Sequence, residues 1–176
     1  MAEARVPRSA VQHACDRLVG ECCWLVSAGA GTGSVLNLGF GRKLRRSVPL
    51  TNPKLPQEAR ENDAEYSLFI ESVWRLDQGD RVVCGAWDDN RADGPMLRGL
   101  ARLSGRTVVA VRARQPGLDL ELDFENGLRL TVFCDRVNED EGDDNYSVFT
   151  TEEVLTVGPR SALRSEPAIE RQSDNE

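Results

Sequence analysis

The chain carries one residue pattern twice, so any fold it adopts has to house two related units. The segment VLNLGFGRKLRRSV (35–48) lies over DLELDFENGLRLTV (119–132) without a gap. Leu36, Leu38, Phe40, Leu44, Arg45 and Val48 meet identical residues at Leu120, Leu122, Phe124, Leu128, Arg129 and Val132. Upstream, DRLVGECCWLVSA (16–28) matches ARLSGRTVVAVRA (101–113) through Arg17/Arg102, Leu18/Leu103, Gly20/Gly105, Val26/Val111 and Ala28/Ala113. Downstream, EYSLF (65–69) matches NYSVF (145–149), and the offset drifts only from 85 to 80 residues. That period is too long for a solenoid and suits a duplicated supersecondary unit.

Each copy is expected to open with a short helix. In Ser9–Leu18, Ser9 and Gln12 form a capping-box pattern, Val11, Cys15 and Leu18 share a face, and Gly20 supplies the stop. Its counterpart begins near Asp93 with Pro95 in the first turn, carries Met96, Leu97, Leu100 and Leu103 as an apolar stripe, and stops at Gly105. Strands are predicted over Cys22–Ala28 and Thr107–Ala113. Leu120, Leu122 and Phe124 alternate with Asp119, Glu121 and Asp123, the period-two pattern of a half-buried strand. Asn126–Gly127 then favours a tight turn into Leu128, Leu130 and Val132. Gly41-Arg-Lys is predicted to turn at the same place in the first copy. Tyr66–Leu76 and Arg81–Trp87 read as a strand pair around Gly79, with Tyr146–Thr150 and Val154–Val157 as shorter counterparts.

The expected fold class is α+β: two tandem copies of a helix-plus-antiparallel-strands unit, forming a pseudo-two-fold, strand-rich domain. Copy one would span 10–92 and copy two 93–158. Residues 1–9 read as a flexible N-terminus, 51–64 as an irregular loop, and 159–176 as a disordered tail.

Composition narrows the function classes. With 22 Lys and Arg against 29 Asp and Glu, the net charge is -7, which disfavours phosphate backbones and anionic membranes. The one basic cluster, Arg42, Lys43, Arg45 and Arg46, lacks interleaved aromatics for base stacking and reads as a solvated hairpin end. Apolar runs such as CCWLV (22–26) are too short to cross a bilayer, and MAEARVPRS lacks a signal-peptide core, so a cytoplasmic location is expected. Cysteines 15, 22, 23, 84 and 134 match no zinc or disulfide spacing and are expected to be buried, reduced thiols.

Motifs for chemistry are sparse. GAGTGS (29–34) lacks the lysine and the following helix of a phosphate loop and reads as a hairpin turn. The loop DRVNEDEGDDN (135–145) holds six carboxylates, yet counting from Asn138 puts Gly142 fifth and Phe149 twelfth, which fails the EF-hand pattern. His13 is the single histidine and stands apart from any nucleophile turn. Trp24 and Trp74 fall in strand patterns and are expected in the core, with Trp87 partly exposed. No catalytic residue, metal ligand or cofactor is assigned, and the chain is expected not to be an enzyme. The candidate partner-binding residues are Glu139, Asp140, Glu141, Asp143 and Asp144.

Over residues 103–158, LDLELDFENGLRLTVFCD followed by DNYSVF, in a small acidic strand-rich chain, resembles uncharacterised immunity-type proteins of bacterial toxin and defence loci. The resemblance implies a stoichiometric binder that blocks a protein partner, and it transfers no functional residue. An acidic loop facing a basic partner would speed association. Two other readings stand beside it: a small-molecule or cation-binding domain with its site at the seam between the copies, and a structural subunit of a homo-oligomer.

Overall fold

The computed structural model describes residues 6–29 and 31–168. Helix α1 (Ser9–Asp16) leads into β1 (Cys22–Ser27) and β2 (Leu36–Arg45). The short helix α2 (Gln57–Glu61) precedes β3 (Asn62–Ile70), β4 (Val73–Gln78) and β5 (Arg81–Gly85). Helix α3 (Pro95–Leu100), prolonged by a 3-10 turn, opens the second half. Strands β6 (Arg106–Arg114), β7 (Asp119–Phe124), β8 (Leu128–Phe133), β9 (Tyr146–Phe149), β10 (Glu153–Val157) and β11 (Leu163–Pro167) follow. All described pairings are antiparallel, in the order β11-β10-β9-β3-β2-β1-β6-β7-β8-β4-β5. The fold is therefore α+β and dominated by antiparallel sheet.

The two halves of this order meet at a short junction, where Cys22 lies opposite Thr107 and Cys23 opposite Arg106. Flanking it, the Gly20 amide donates to the Val108 carbonyl at 2.8 Å and the Gly105 amide to the Cys23 carbonyl at 2.7 Å. Outward from β1 come β2, β3, β9, β10 and β11; outward from β6 come β7, β8, β4 and β5. β4–β5 follows β3 in the chain but lies beside β8, and β9–β10 follows β8 but lies beside β3.

Alternation decides which face is buried. Leu36, Leu38 and Phe40 on β2, and Leu120, Leu122 and Phe124 on β7, all enter one continuous core. Helix α1 and the turn after it add Val11, Cys15 and Leu18 to it, and the α3 region adds Met96, Leu100 and Leu103. Two bulges occupy corresponding places. The β1–β2 register slips between Cys23 and Leu25, and the β6–β7 register slips between Val108 and Ala110. Two hydrogen bonds tie the halves across the core, Trp74 Nε1 to the Ser34 carbonyl at 2.7 Å and Tyr146 Oη to the Leu118 carbonyl at 2.8 Å.

Several expectations need correction. No turn forms at Gly41-Arg-Lys: β2 runs on to Arg45, because a bulge between Phe40 and Lys43 absorbs the positive-φ Gly41 inside the strand. The Asn126–Gly127 turn does form, with both residues at positive φ. EYSLF lies in β3 and NYSVF in β9, neighbouring antiparallel strands that pair Ser67 with Phe149 and Ile70 with Tyr146. The strand expected over Tyr66–Leu76 breaks at Glu71 and Ser72, whose amides both turn to the Asn145 carbonyl. The 51–64 segment is ordered in part as α2 and the start of β3.

The chain ends need correction too. The tail expected from Pro159 instead forms β11, in register with β10 from Glu153↔Pro167 to Val157↔Leu163; residues 169–176 lie outside the described residues. At the other end residues 1–5 lie outside them, while Val6 packs on the core. Helix α1 caps at Arg8 with no side-chain bond. Gln12 reaches β6 instead, accepting from the Ala113 amide at 2.9 Å and donating to the Val111 carbonyl at 3.0 Å. Among the described residues, no helix is long and apolar enough to cross a membrane.

Candidate partner-binding surface

The acidic loop links β8 to β9 and is shaped by its own polar groups. The Asn138 side chain accepts from the Asp140 amide at 3.1 Å, a single 3-10 turn covers Glu139–Glu141, and Gly142 leaves that turn at φ 76°. Asn145 anchors the far end from full burial. Its side chain donates to the Gly158 carbonyl at 2.7 Å and accepts from the Arg136 amide at 3.0 Å.

The structure splits the five predicted carboxylates. Asp144 pairs with Arg164 of β11 at 2.6 Å, and Asp143 faces Arg136 at 3.7 Å. Glu139 and Asp140 are exposed and make no ion pair among the described residues. The side chain of Glu141 lies outside the described ones. A shallow groove of about 350 Å³ runs between the loop and the start of β11, lined by Glu139, Asp143, Asp144, Pro159, Ala162 and Arg164.

Sequence reasoning missed a further carboxylate here, Glu71. Burial first, and then the charges of Asp144 and Asp143, push the Glu71 carboxyl above the usual glutamate range. Those repulsions outweigh the opposing pull of Arg136, whose guanidinium also donates to the Glu71 carbonyl at 2.7 Å. Arg136 and Arg164 offset the charges of Asp143 and Asp144, while Glu139 and Asp140 have no such partner among the described residues. Glu71 is some seventy residues away in sequence, and the pairing of β3 with β9 brings it near.

The other candidates are placed as follows. In GAGTGS the Asn90 side chain donates to the Gly29 and Gly33 carbonyls and Trp74 to that of Ser34, while the Thr32 amide turns inward to the Gly29 carbonyl. A phosphate cradle would need converging amides instead. The basic cluster sits within and just after β2, where Glu65 receives Arg42, Glu58 receives Lys43 and Asp63 receives Arg46. His13 is exposed on α1. Trp74 is buried as expected and Trp87 is 86% exposed, whereas Trp24 is only half-buried, with the Lys43 ammonium 5.3 Å from its ring centre.

All five cysteines are free thiols, but two depart from the expectation of burial: Cys22 is exposed at the junction where β1 begins, and Cys134 is only partly buried just after β8. Burial pushes Cys15, Cys84 and Cys134 up to about 12, so these thiols stay protonated and poor nucleophiles at neutral pH. Among the described residues, no group of three or more His, Cys, Asp and Glu side chains is arranged to hold a metal ion.

No family model, no curated protein and no solved structure matches this chain.

Proposed function

We propose that this protein is a non-catalytic binding module of the immunity type, which neutralises or regulates a basic protein partner through the 139–144 loop. The carrying observation is the unbalanced charge at that loop. Glu139 and Asp140 face solvent without a counter-ion among the described residues, and the charges of Asp144 and Asp143 add to burial in raising the Glu71 carboxyl. A basic surface arriving there would relieve this repulsion, and long-range attraction would raise the association rate. Residence in a reducing cytoplasm belongs to the same proposal and is supported by five free thiols.

The test begins with capture of a partner from the native host. The paired variant Glu139→Gln/Asp140→Asn is then compared with the parent by stopped-flow association over a range of salt. Slower association with a flatter salt dependence, at unchanged melting temperature, supports the loop as the interface. Equal rates at every salt concentration would remove it.

The same proposal extends to architecture: a duplicated unit whose two copies have exchanged their second hairpins. Its supports are the matched bulges at Trp24 and Val109 and the reciprocal bonds of Gly20 and Gly105. The paired reach of Trp74 to Ser34 and of Tyr146 to Leu118 adds a third. The boundary at 92/93 then separates copies in sequence, while each spatial half borrows a hairpin from the other.

A further inference from the structure

The outer face of the second half is laced with ions around an open hollow. Arg112 bridges Glu121 and Asp123, Arg129 holds Asp123 at 2.5 Å, and Arg75 holds Asp77 at 2.9 Å. Ala110, Asp123, Arg129, Asp77 and Val82 are successive cross-strand neighbours from β6 to β5. A hollow of about 630 Å³ follows that row, with Val109 at one end and Val82 at the other. Val109 is 54% exposed and Val82 64%, so each end offers a large apolar side chain to water. Between them, both oxygens of Asp123 receive Arg129, which holds that planar guanidinium in one orientation.

The corresponding place in the first half is closed, and its contents show what fits. Trp24 is the bulged residue of β1 as Val109 is of β6, and Gly39 lies just past the bulge where Asp123 does. Trp24 is half-buried, with the Lys43 ammonium 5.3 Å from its ring centre. A Cβ on Gly39 would strike the Cβ atoms of Ala64 and Leu25, each at 2.8 Å, so side chains already fill the space beside it. Strand length makes the difference. β2 runs on past Phe40 to Arg45 and pairs Lys43 with Ala64. β7 stops at Phe124 and the chain turns back at Asn126–Gly127, which leaves Val109 uncovered.

We propose that this hollow binds an uncharged extended segment of a polypeptide partner, with an indole-sized aromatic side chain seated on Val109 against the Arg129 guanidinium. An aromatic ring against a cation is what the first half places there, and a fixed guanidinium stacks on such a ring as well as an ammonium does. Neighbouring strands stand about 4.8 Å apart, so the four gaps from β6 to β5 separate the two valines by up to roughly 19 Å. A single ring cannot reach both ends. An extended chain covers that span in about six residues, an even number that puts both of its anchoring side chains on one face. The ions of the row already neutralise one another, so the segment needs no charge of its own. This inference is independent of the acidic loop, and its failure would leave that reading untouched.

Two-dimensional NMR titration of the full chain tests it, with the end-blocked heptapeptide Trp-Gly-Ser-Gly-Ser-Gly-Val as probe. Saturable shifts should centre on the amides of Val82, Val109 and Gly127. Exchanging the peptide's tryptophan for glycine should weaken binding by about tenfold or more, and free 3-methylindole should bind more weakly by a similar factor. Val109→Trp, which copies residue 24 at the matching bulge, should fill the hollow from within and abolish the shifts. Val82→Ser changes an exposed side chain, so folding is preserved while binding weakens about tenfold. Absence of saturable shifts, or shifts gathered elsewhere on the molecule, overturns the proposal. Equal binding of the peptide without tryptophan does so too, and 3-methylindole binding as tightly as the heptapeptide would make the hollow a small-molecule site instead. A folded Val109→Trp or Val82→Ser protein that binds like the parent also overturns it.

Discussion

The rings of Phe40 and Phe124 stack in the core with centroids 6.5 Å apart and planes inclined by 21°. Each ring ends the apolar run of its strand, and each lies opposite the residue that opens a bulge, Cys23 for Phe40 and Val108 for Phe124. The slip in register after that residue twists the strand more strongly. The two halves of the sheet, joined by few backbone bonds at β1 and β6, are thus held mainly by side chains meeting face to face.

Truncating either ring to alanine should therefore cost about 3–5 kcal/mol of stability, measured by urea unfolding. The double variant should lose less than the sum of the two, because the partners share one contact. Additive losses would mean that the rings do not support each other.

Gly39 is buried on β2, and a Cβ there would meet the Cβ atoms of Ala64 and Leu25, each at 2.8 Å. Both neighbours are fixed to strand backbones and cannot swing away. Gly39→Ala is expected to destabilise by about 1–3 kcal/mol through overpacking, with unchanged secondary structure by circular dichroism. A neutral effect would show that β1 and β3 can part at this point.

Local pattern made much of this legible. The alternation in 119–124, the Asn126–Gly127 turn and the presence of two short helices were readable, because burial on one face leaves a periodic trace, although α1 ends at Asp16 and α3 at Leu100, short of Gly20 and Gly105. The placement of the β4–β5 and β9–β10 hairpins was not readable. β4–β5 and β9–β10 carry the same pattern whichever half they join, and only tertiary packing selects the partner. The turn placed at Gly41 failed because a positive-φ glycine fits a bulge as well as a hairpin. At the acidic loop, five carboxylates were visible in one run, while Glu71 and Arg164 arrive from distant strands.

The phenol of Tyr146 donates to the Leu118 carbonyl at 2.8 Å, and both residues are buried. Tyr146→Phe removes only the hydroxyl and leaves that carbonyl unpaired, which should cost about 1–3 kcal/mol in chemical denaturation. Trp74→Phe strips the matching bond to Ser34 and also removes volume, so its loss should be larger. If Tyr146→Phe unfolds at the same denaturant concentration as the parent, the bond does not tie the halves together.

The ionic face of the second half predicts an acid limb. Hydrogen bonding from Arg114, with help from Arg112, holds Glu121 below the usual glutamate range. Burial raises Asp123, but bonds from Arg129 and Arg112 outweigh it and leave this carboxyl lowered as well. A lowered folded-state pKa contributes stability above the unfolded value, and that contribution is lost as pH falls through the folded value. The melting temperature should stay level near neutrality and decline below the ordinary carboxylate range. Glu121→Gln/Asp123→Asn should start lower and decline less steeply. Parallel acid limbs would assign the loss to other carboxylates.

Glu71 predicts the opposite sign. Its carboxyl is raised by burial and by Asp144 and Asp143, so the folded protein binds this proton more tightly than the unfolded chain does. Stability from the group is present at low pH and is lost as pH climbs from the unfolded pKa through the folded one. At neutral pH the ionised side chain is a liability that the fold tolerates beside the acidic loop. Glu71→Gln keeps the shape without the charge and should melt higher than the parent at pH 7. The gap should close as the pH drops into the range where Glu71 and its neighbours take up protons. Adding Asp143→Asn should shrink the neutral-pH gap, since one source of repulsion is then gone. A Glu71→Gln protein no more stable than its parent at pH 7, or a gap that persists in acid, would show that Glu71 does not feel the loop's charge.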